Sequence, residues 1–122
     1  MERRRFVTLV RRALDTLPSP YRDWIENVDV VVERRPNAHH RRSAGLRPGE
    51  TLFGLYEGVP LTERDSYSMV LPDKITIFQE PLEREFWDNE DELVNEVRQT
   101  VLHELAHHFG MSDEELERLG LD

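Results

Sequence analysis

The chain has 122 residues, which is enough for one compact domain with a single core, so we expect one domain over residues 1–122. It has no cysteine, which excludes disulfides, thiolate metal ligands and a cysteine nucleophile, so any metal must bind through His, Asp or Glu. The net charge of −9 is uneven: eleven Lys/Arg oppose six Asp/Glu in residues 1–47, and five oppose nineteen in residues 48–122. This polarity favours a basic partner, and nucleic acid is not an expected one because no recognised binding motif accompanies the arginines.

The N-terminal segment MERRRFVTLVRRAL is basic, and arginines separate its apolar residues. It therefore lacks the continuous apolar centre of a secretory signal peptide, and no later segment has the length and hydrophobicity of a membrane span. Together with the absence of cysteine, these features predict a cytoplasmic protein with no membrane partner.

The first predicted elements are a helix and a strand. Apolar residues recur every three or four positions from Phe6 to Leu17, which forms one helical stripe, and Pro18 and Pro20 end it. The β-branched run Val28–Val32 then predicts a buried strand.

The segment Glu33–Glu50 is rich in proline, glycine and charge, and it is predicted to be a loop and the most mobile part of the chain. It contains His39 and His40, which stand beside four arginines. Because a positive field repels a cation, we expect both histidines to be solvated rather than metal ligands.

Two further strands are predicted after this loop. Thr51–Gly58 is the first, with Gly54 marking a bulge or a close backbone approach. Lys74–Gln79 is the second, because its apolar residues alternate and Pro81 then ends the strand.

The remaining sequence predicts two helices. The long one covers residues 89–109, with Asn89 and Glu92 at capping-box spacing and Gly110 placed to terminate it. Ser112 then opens a short last helix that runs to about Leu119.

The stretch TVLHELAHHFGMSD, residues 100–113, carries the candidate functional site. His103 and His107 are one helical turn apart, and they share a polar face with Glu96 and Thr100. The apolar residues of the same helix lie on the opposite side and would pack on the sheet. Two imidazoles at this spacing can reach one metal ion, and Glu96 and Thr100 are either substrate contacts or part of a solvated face.

Glu104 lies at the edge of this face. In an H-E-x-x-H arrangement, a glutamate at this position stays off the metal and takes a proton from the attacking water. Asp113 is the predicted third metal ligand, because Gly110 allows the chain to turn back toward the ion; an acid at a helix start is also explained by the helix dipole, and Glu114 is the alternative ligand. His108 points toward the packed side and is predicted to be structural.

This motif resembles that of a known family. H-E-x-x-H-x-x-G-x-x-D, formed by His103, Glu104, His107, Gly110 and Asp113, resembles the zinc-binding motif of zincin metallopeptidases, with Asp where metzincins usually have a third His. The length and the phrases LFGLYEGVPLTER, LPDKITIFQEP and VLHELAHHFGMSDEEL are similar to small bacterial minimal zincin-like metallopeptidases. The resemblance covers roughly residues 50–120.

The resemblance and the predicted elements together imply an α+β, minimal zincin-like fold. It would have a small mixed sheet of about three strands, an N-terminal helix, a long active-site helix and a short C-terminal helix. The cleft would lie between the 89–109 helix and an edge strand, either Lys74–Gln79 or Thr51–Gly58, to which an extended peptide adds by main-chain pairing.

The implied function is hydrolysis of a peptide or protein substrate with one Zn²⁺ per chain and Glu104 as general base. Tyr67, His39 and His40 are candidates for an electrophilic helper. The main alternative is a non-catalytic, metal-binding module of zincin shape that binds peptides or proteins. A further alternative is a regulatory domain that binds a partner through its arginine-rich loop.

Overall fold

The computed structural model describes residues 1–58 and 73–108, together with Glu114 and Arg118. Within these residues the fold is α+β, as predicted, and no helix is long and apolar enough to cross a membrane. The elements in chain order are α1 (Arg3–Leu14), α2 (Tyr21–Trp24), a 3₁₀ turn (Ile25–Asn27), β1 (Val28–Glu33), α3 (Ala38–Ser43), β2 (Gly54–Glu57), β3 (Asp73–Phe78), α4 (Gln79–Phe86) and α5 (Glu90–His108).

The three strands form one mixed sheet in the order β1-β3-β2, which confirms the predicted sheet. β1 runs parallel to β3, and β2 runs antiparallel to it. Because β3 is central, both of its edges are already paired. Of the two segments proposed to flank the cleft, only the one that contains β2 keeps a free edge among the described residues.

The core lies on one face of the sheet, beneath α1 and α5. The side chains of β3 alternate, so Ile75 and Ile77 point into this core, whereas Thr76 and Phe78 point to the opposite face. The predicted apolar stripes of α1 and α5 coincide in large part with the buried residues, which are Phe6, Leu9, Val10 and Ala13 on α1, and Leu93, Val94, Val97, Val101, Leu102, Leu105 and Ala106 on α5.

Ion pairs join the basic helix α1 to the acidic first turn of α5. The guanidinium of Arg5 donates to both carboxylate oxygens of Glu90, and Arg12 donates to Asp91 at 2.8 Å. Exposed pairs of this kind contribute little to stability. They do show that part of the charge difference between the two halves of the chain is compensated inside the fold.

The prediction of a loop over Glu33–Glu50 was wrong in its middle, where α3 lies. Asn37 caps α3: its side chain accepts from the backbone N–H of His40 at 2.8 Å, and its own N–H donates to Nδ1 of His40 at 3.1 Å. Gly45, with φ of 67°, ends the helix, because its positive φ lets the N–H groups of residues 45 and 46 bond back to the last turn.

The sequence also failed to predict α4, which follows β3 directly. Pro81 does stand after the strand, but it occupies the first turn of a helix, where proline needs no N–H partner. The long helix begins one residue after Asn89, whose side chain accepts from the N–H of Glu92 at 3.1 Å. The predicted last helix lies mostly outside the described residues, although Glu114 and Arg118 are helical.

Candidate active site

The two histidines of the motif lie side by side on the last turns of α5. The ring centroids of His103 and His107 are 4.4 Å apart, and their planes are inclined by 33°. His103 is partly exposed and His107 is exposed, so both rings are accessible from solvent. Two neutral imidazoles that converge from one helix face are a donor set that suits zinc, and this pair fits two of its ligand positions.

The third predicted ligand, Asp113, lies outside the described residues, as does Gly110. Glu114, the alternative, is described and is exposed. Within residues 1–58, 73–108, 114 and 118, no three His, Asp or Glu side chains form a group that could hold a metal ion. The fit to zinc therefore rests on the histidine pair.

Glu104 is partly buried where α5 meets β2. The backbone N–H of Tyr56 lies near its carboxylate and favours the charged form. Burial raises the pKa of Glu104 above the usual glutamate range, and the nearby His107 and the Tyr56 N–H only partly offset this effect. A partly buried carboxylate with a raised pKa is a better proton acceptor than a solvated one.

Tyr56 also connects β2 to the end of α5 through its side chain. Its hydroxyl donates to Oδ2 of Asp73 at 2.6 Å, and its ring stacks on His108 with 4.0 Å between centroids and 17° between planes. Nε2 of His108 lies 3.4 Å from the same Asp73 oxygen. His108 thus contacts β2 and β3, in agreement with its predicted structural role.

Gly54 is a site of close backbone approach, one of the two possibilities predicted from the sequence. A Cβ atom at this position would lie 2.7 Å from Cγ2 of Thr100 and 3.2 Å from the carbonyl oxygen of Thr76. Any larger residue would therefore push β2 away from α5. The absence of a side chain brings the edge of β2 close to the polar face of α5.

A cavity of about 280 Å³ lies between β2 and this face of α5. It contains Glu96 and Thr100, which the helical periodicity placed on the same face as the histidines. Sequence reasoning did not identify Phe53 or Tyr56 as part of the site, because neither precedes a recognisable motif. The cavity is lined by Phe53, Gly54, Glu96, Gln99, Thr100, His103 and Glu104.

His39 and His40 lie elsewhere, on the opposite face of the sheet. The expectation that both are solvated is wrong for His40, whose side chain is only 7% exposed and meets the ring of Phe78 edge-on at 4.9 Å. His39 is exposed, and its Nε2 lies 3.0 Å from Oε2 of Glu57. Neither histidine lines the cavity beside His103, and Tyr67 lies outside the described residues.

A larger cavity, of about 390 Å³, lies near the N-terminus of the described chain and shares no lining residue with the first. Its lining includes Arg3, Arg34 and Glu83, which already contact other groups of the fold: Arg3 donates to the carbonyl of Val32, and Glu83 accepts from Gln79. The cavity contains no histidine and is not adjacent to the motif.

Comparison with known proteins agrees with the motif and the fold. No curated protein is significantly similar to this chain. A conserved hypothetical protein from T. thermophilus has a similar structure, with a TM-score of 0.57 and 24% identity over 99% of this chain and 100% of that chain, which supports the fold. The family profile described as zincin-like metallopeptidase matches residues 25–121. The chain therefore belongs to the zincin-like metallopeptidase family.

Proposed function

We propose that the protein is a zinc-dependent peptidase. The observation that carries this proposal is the arrangement of α5: two adjacent imidazoles stand beside a partly buried glutamate at the edge of a cavity. His103, His107 and Asp113 would hold the ion. When bound, zinc would supply Lewis-acid polarisation of the scissile carbonyl and acidify a water molecule.

Glu104 would act as the general base and then as the general acid. Its carboxylate would take the proton of the attacking water and deliver it to the nitrogen of the leaving amine. The carboxylate is partly buried beside β2, where the Tyr56 N–H favours its charged form. The raised pKa of Glu104 brings its proton affinity closer to what both transfers require.

The edge of β2 would bind the peptide. The carbonyl oxygen of Phe53 accepts from the N–H of Phe78 at 2.9 Å, so the backbone carbonyl of Phe53 points toward β3. Because hydrogen-bonding direction alternates in an antiparallel pair, the polar groups of Gly54 and Tyr56 face away from β3. The N–H and C=O of Gly54 are therefore pairing groups for an extended substrate.

The Glu104→Gln variant tests this proposal. We expect zinc affinity to stay within a few-fold of wild type, while hydrolysis of a diverse peptide library falls by roughly 10²-fold or more, because the amide keeps the shape and cannot accept the proton. Glu92→Gln, on an exposed position of the same helix, is the matched control and should cleave at the wild-type rate.

Two results would contradict the proposal. If Glu104→Gln cleaved as fast as wild type, Glu104 would not be the base. If the zinc-loaded wild type cleaved no peptide of the library, a non-catalytic peptide-binding module of zincin shape would be the better account.

A further inference from the structure

The cavity extends well beyond the catalytic residues. It runs along α5 from His103 and Glu104 past Thr100 to Glu96. Seven residues separate Glu96 from His103, which corresponds to about 10 Å along a helix axis. An extended peptide advances about 3.3 Å per residue, so Glu96 lies within about three substrate residues of the reacting bond.

Glu96 is a partly buried acid that pairs with no cation among the residues that the structure describes. It forms neither a hydrogen bond nor an ion pair with any residue in the described part of the chain. Burial raises its pKa, and the neighbouring carboxylate of Glu85 on α4 raises it further. An acid with only a like charge nearby is unfavourable in the free protein, and a cation supplied from outside would relieve this cost.

The rest of the cavity suits the aliphatic part of a long side chain. Phe53 forms one wall, and its ring packs against that of Phe86 with 6.1 Å between centroids. Gly54 presents backbone only, and Thr100 presents its methyl group toward Gly54. A cavity that combines an apolar wall with a carboxylate in its lining matches lysine and arginine, which carry a charge at the end of an apolar stem.

We infer that this cavity is a specificity pocket for a lysine or arginine side chain of the substrate, with Glu96 as its counter-charge. The inference rests on the proposed function and narrows it to peptides with a basic residue within about three positions of the cleaved bond. The net charge of −9 acts in the same direction, because it attracts basic peptides to the protein surface.

The first measurement is cleavage of a peptide library by the zinc-loaded protein, with the cut sites identified by mass spectrometry. We expect lysine or arginine to be enriched at one fixed position within three residues of the cut. The cleaved sequence is then compared with a copy in which norleucine replaces that lysine. Wild type should prefer lysine about two- to fivefold in kcat/KM, the range of a partly exposed ion pair.

Glu96→Gln should abolish this preference while it continues to cleave the norleucine peptide. Glu92→Gln removes the same charge from α5, one turn away and outside the cavity, and it should keep the preference. An equal preference in wild type and Glu96→Gln would overturn the inference, as would enrichment of apolar residues at every position around the cut.

A binding measurement separates this inference from the proposed function. Lysine and norleucine peptides are titrated into zinc-loaded Glu104→Gln and into the double variant Glu96→Gln/Glu104→Gln. If wild type cleaves no peptide, no cut site is known, so the peptides form a series with one constant sequence. In this series lysine or norleucine stands at each position in turn. Lysine preference in the first variant and its loss in the second support the pocket whether or not wild type is a peptidase. No preference for lysine at any position in Glu104→Gln would overturn the pocket.

Discussion

The protein contains two histidine pairs, each beside a glutamate, and the fold uses them differently. On α5, His103 and His107 are four residues apart, so their rings lie together, with 4.4 Å between centroids. On α3, His39 and His40 are neighbours in sequence, so they point in directions about 100° apart, and their ring centroids are 6.1 Å apart. Spacing along the helix therefore decides whether two imidazoles can share a metal ion.

The two pairs also differ in how far their side chains are exposed to solvent. His40 is buried: its Nδ1 accepts from the N–H of Asn37, and its ring packs on Phe78. In contrast, the side chain of His103 is partly exposed and that of His107 is exposed. His40 helps to hold the fold together, whereas both rings of the α5 pair are accessible to a ligand.

Metal content provides the largest expected difference between the two pairs. We expect one zinc per chain in wild type and none in His103→Ala/His107→Ala, because the double variant removes both imidazole ligands. His39→Ala should keep the full content, since His39 lies on the opposite face of the sheet. Elemental analysis of the purified proteins measures this. Equal zinc in wild type and the double variant would place the metal elsewhere.

Zinc affinity identifies the third ligand. If Asp113 completes the site, Asp113→Ala should weaken zinc binding at least tenfold, because one of three protein ligands and a negative charge are lost. Glu114→Ala should leave the affinity unchanged. The reverse result would make Glu114 the ligand and assign Asp113 to the helix dipole. Calorimetric titration with zinc distinguishes the two outcomes.

Stability provides the second difference, and here the buried His40 should matter more than the exposed His39. His40→Ala should lower the free energy of unfolding by about 2 kcal/mol, because it removes the cap partner of Asn37 and leaves a hole beside Phe78. His39→Ala should change it by less than about 0.5 kcal/mol, as expected for an exposed side chain. Urea unfolding measures both. Equal effects would mean that burial of His40 is not what stabilises α3.

The elements with a strong periodic pattern were predictable from the sequence. α1, β1, β3 and α5 all follow from repeated apolar residues, and their ends lie within a few residues of the predicted ones. Two of the missed helices, α3 and α4, lack such a pattern. α3 has six residues and buries chiefly His40, a polar residue, so its signal was restricted to Asn37 and Gly45 at its ends. Pro81 concealed α4, because it terminates strands and also fits the first helical turn.

The site was predictable to the extent that it lies on one helix. A period of 3.6 residues is sufficient to place His103, His107, Glu96 and Thr100 on one face. The contributions of β2 depend on which strand lies at the edge of the sheet, and local sequence does not encode strand order. For this reason the proximity of the Tyr56 N–H to Glu104, and the close packing at Gly54, required the three-dimensional structure.

The smallest expected effect compares two glutamates at opposite ends of α5, one serving the site and one serving the fold. The pKa of Glu104 is raised in the folded protein, so its ionisation costs stability as pH rises above the usual glutamate range. The pKa of Glu90 is lowered, chiefly by its hydrogen bond from Arg5, so its ionised form contributes stability that is lost as pH falls.

Substitution by glutamine should therefore act in opposite directions in the metal-free protein. At pH 7, Glu104→Gln should raise the melting temperature, because it removes a carboxylate that is costly to ionise. Glu90→Gln should lower it slightly, because the ion pair with Arg5 is exposed. The Glu104 difference should shrink toward pH 4, as its carboxylate becomes protonated, whereas the Glu90 difference should persist to lower pH because the pKa of Glu90 is lowered. Thermal unfolding between pH 4 and 8 measures both. A lower melting temperature for Glu104→Gln at pH 7 would show that Glu104 stabilises the fold, and would remove the distinction between the two ends of α5.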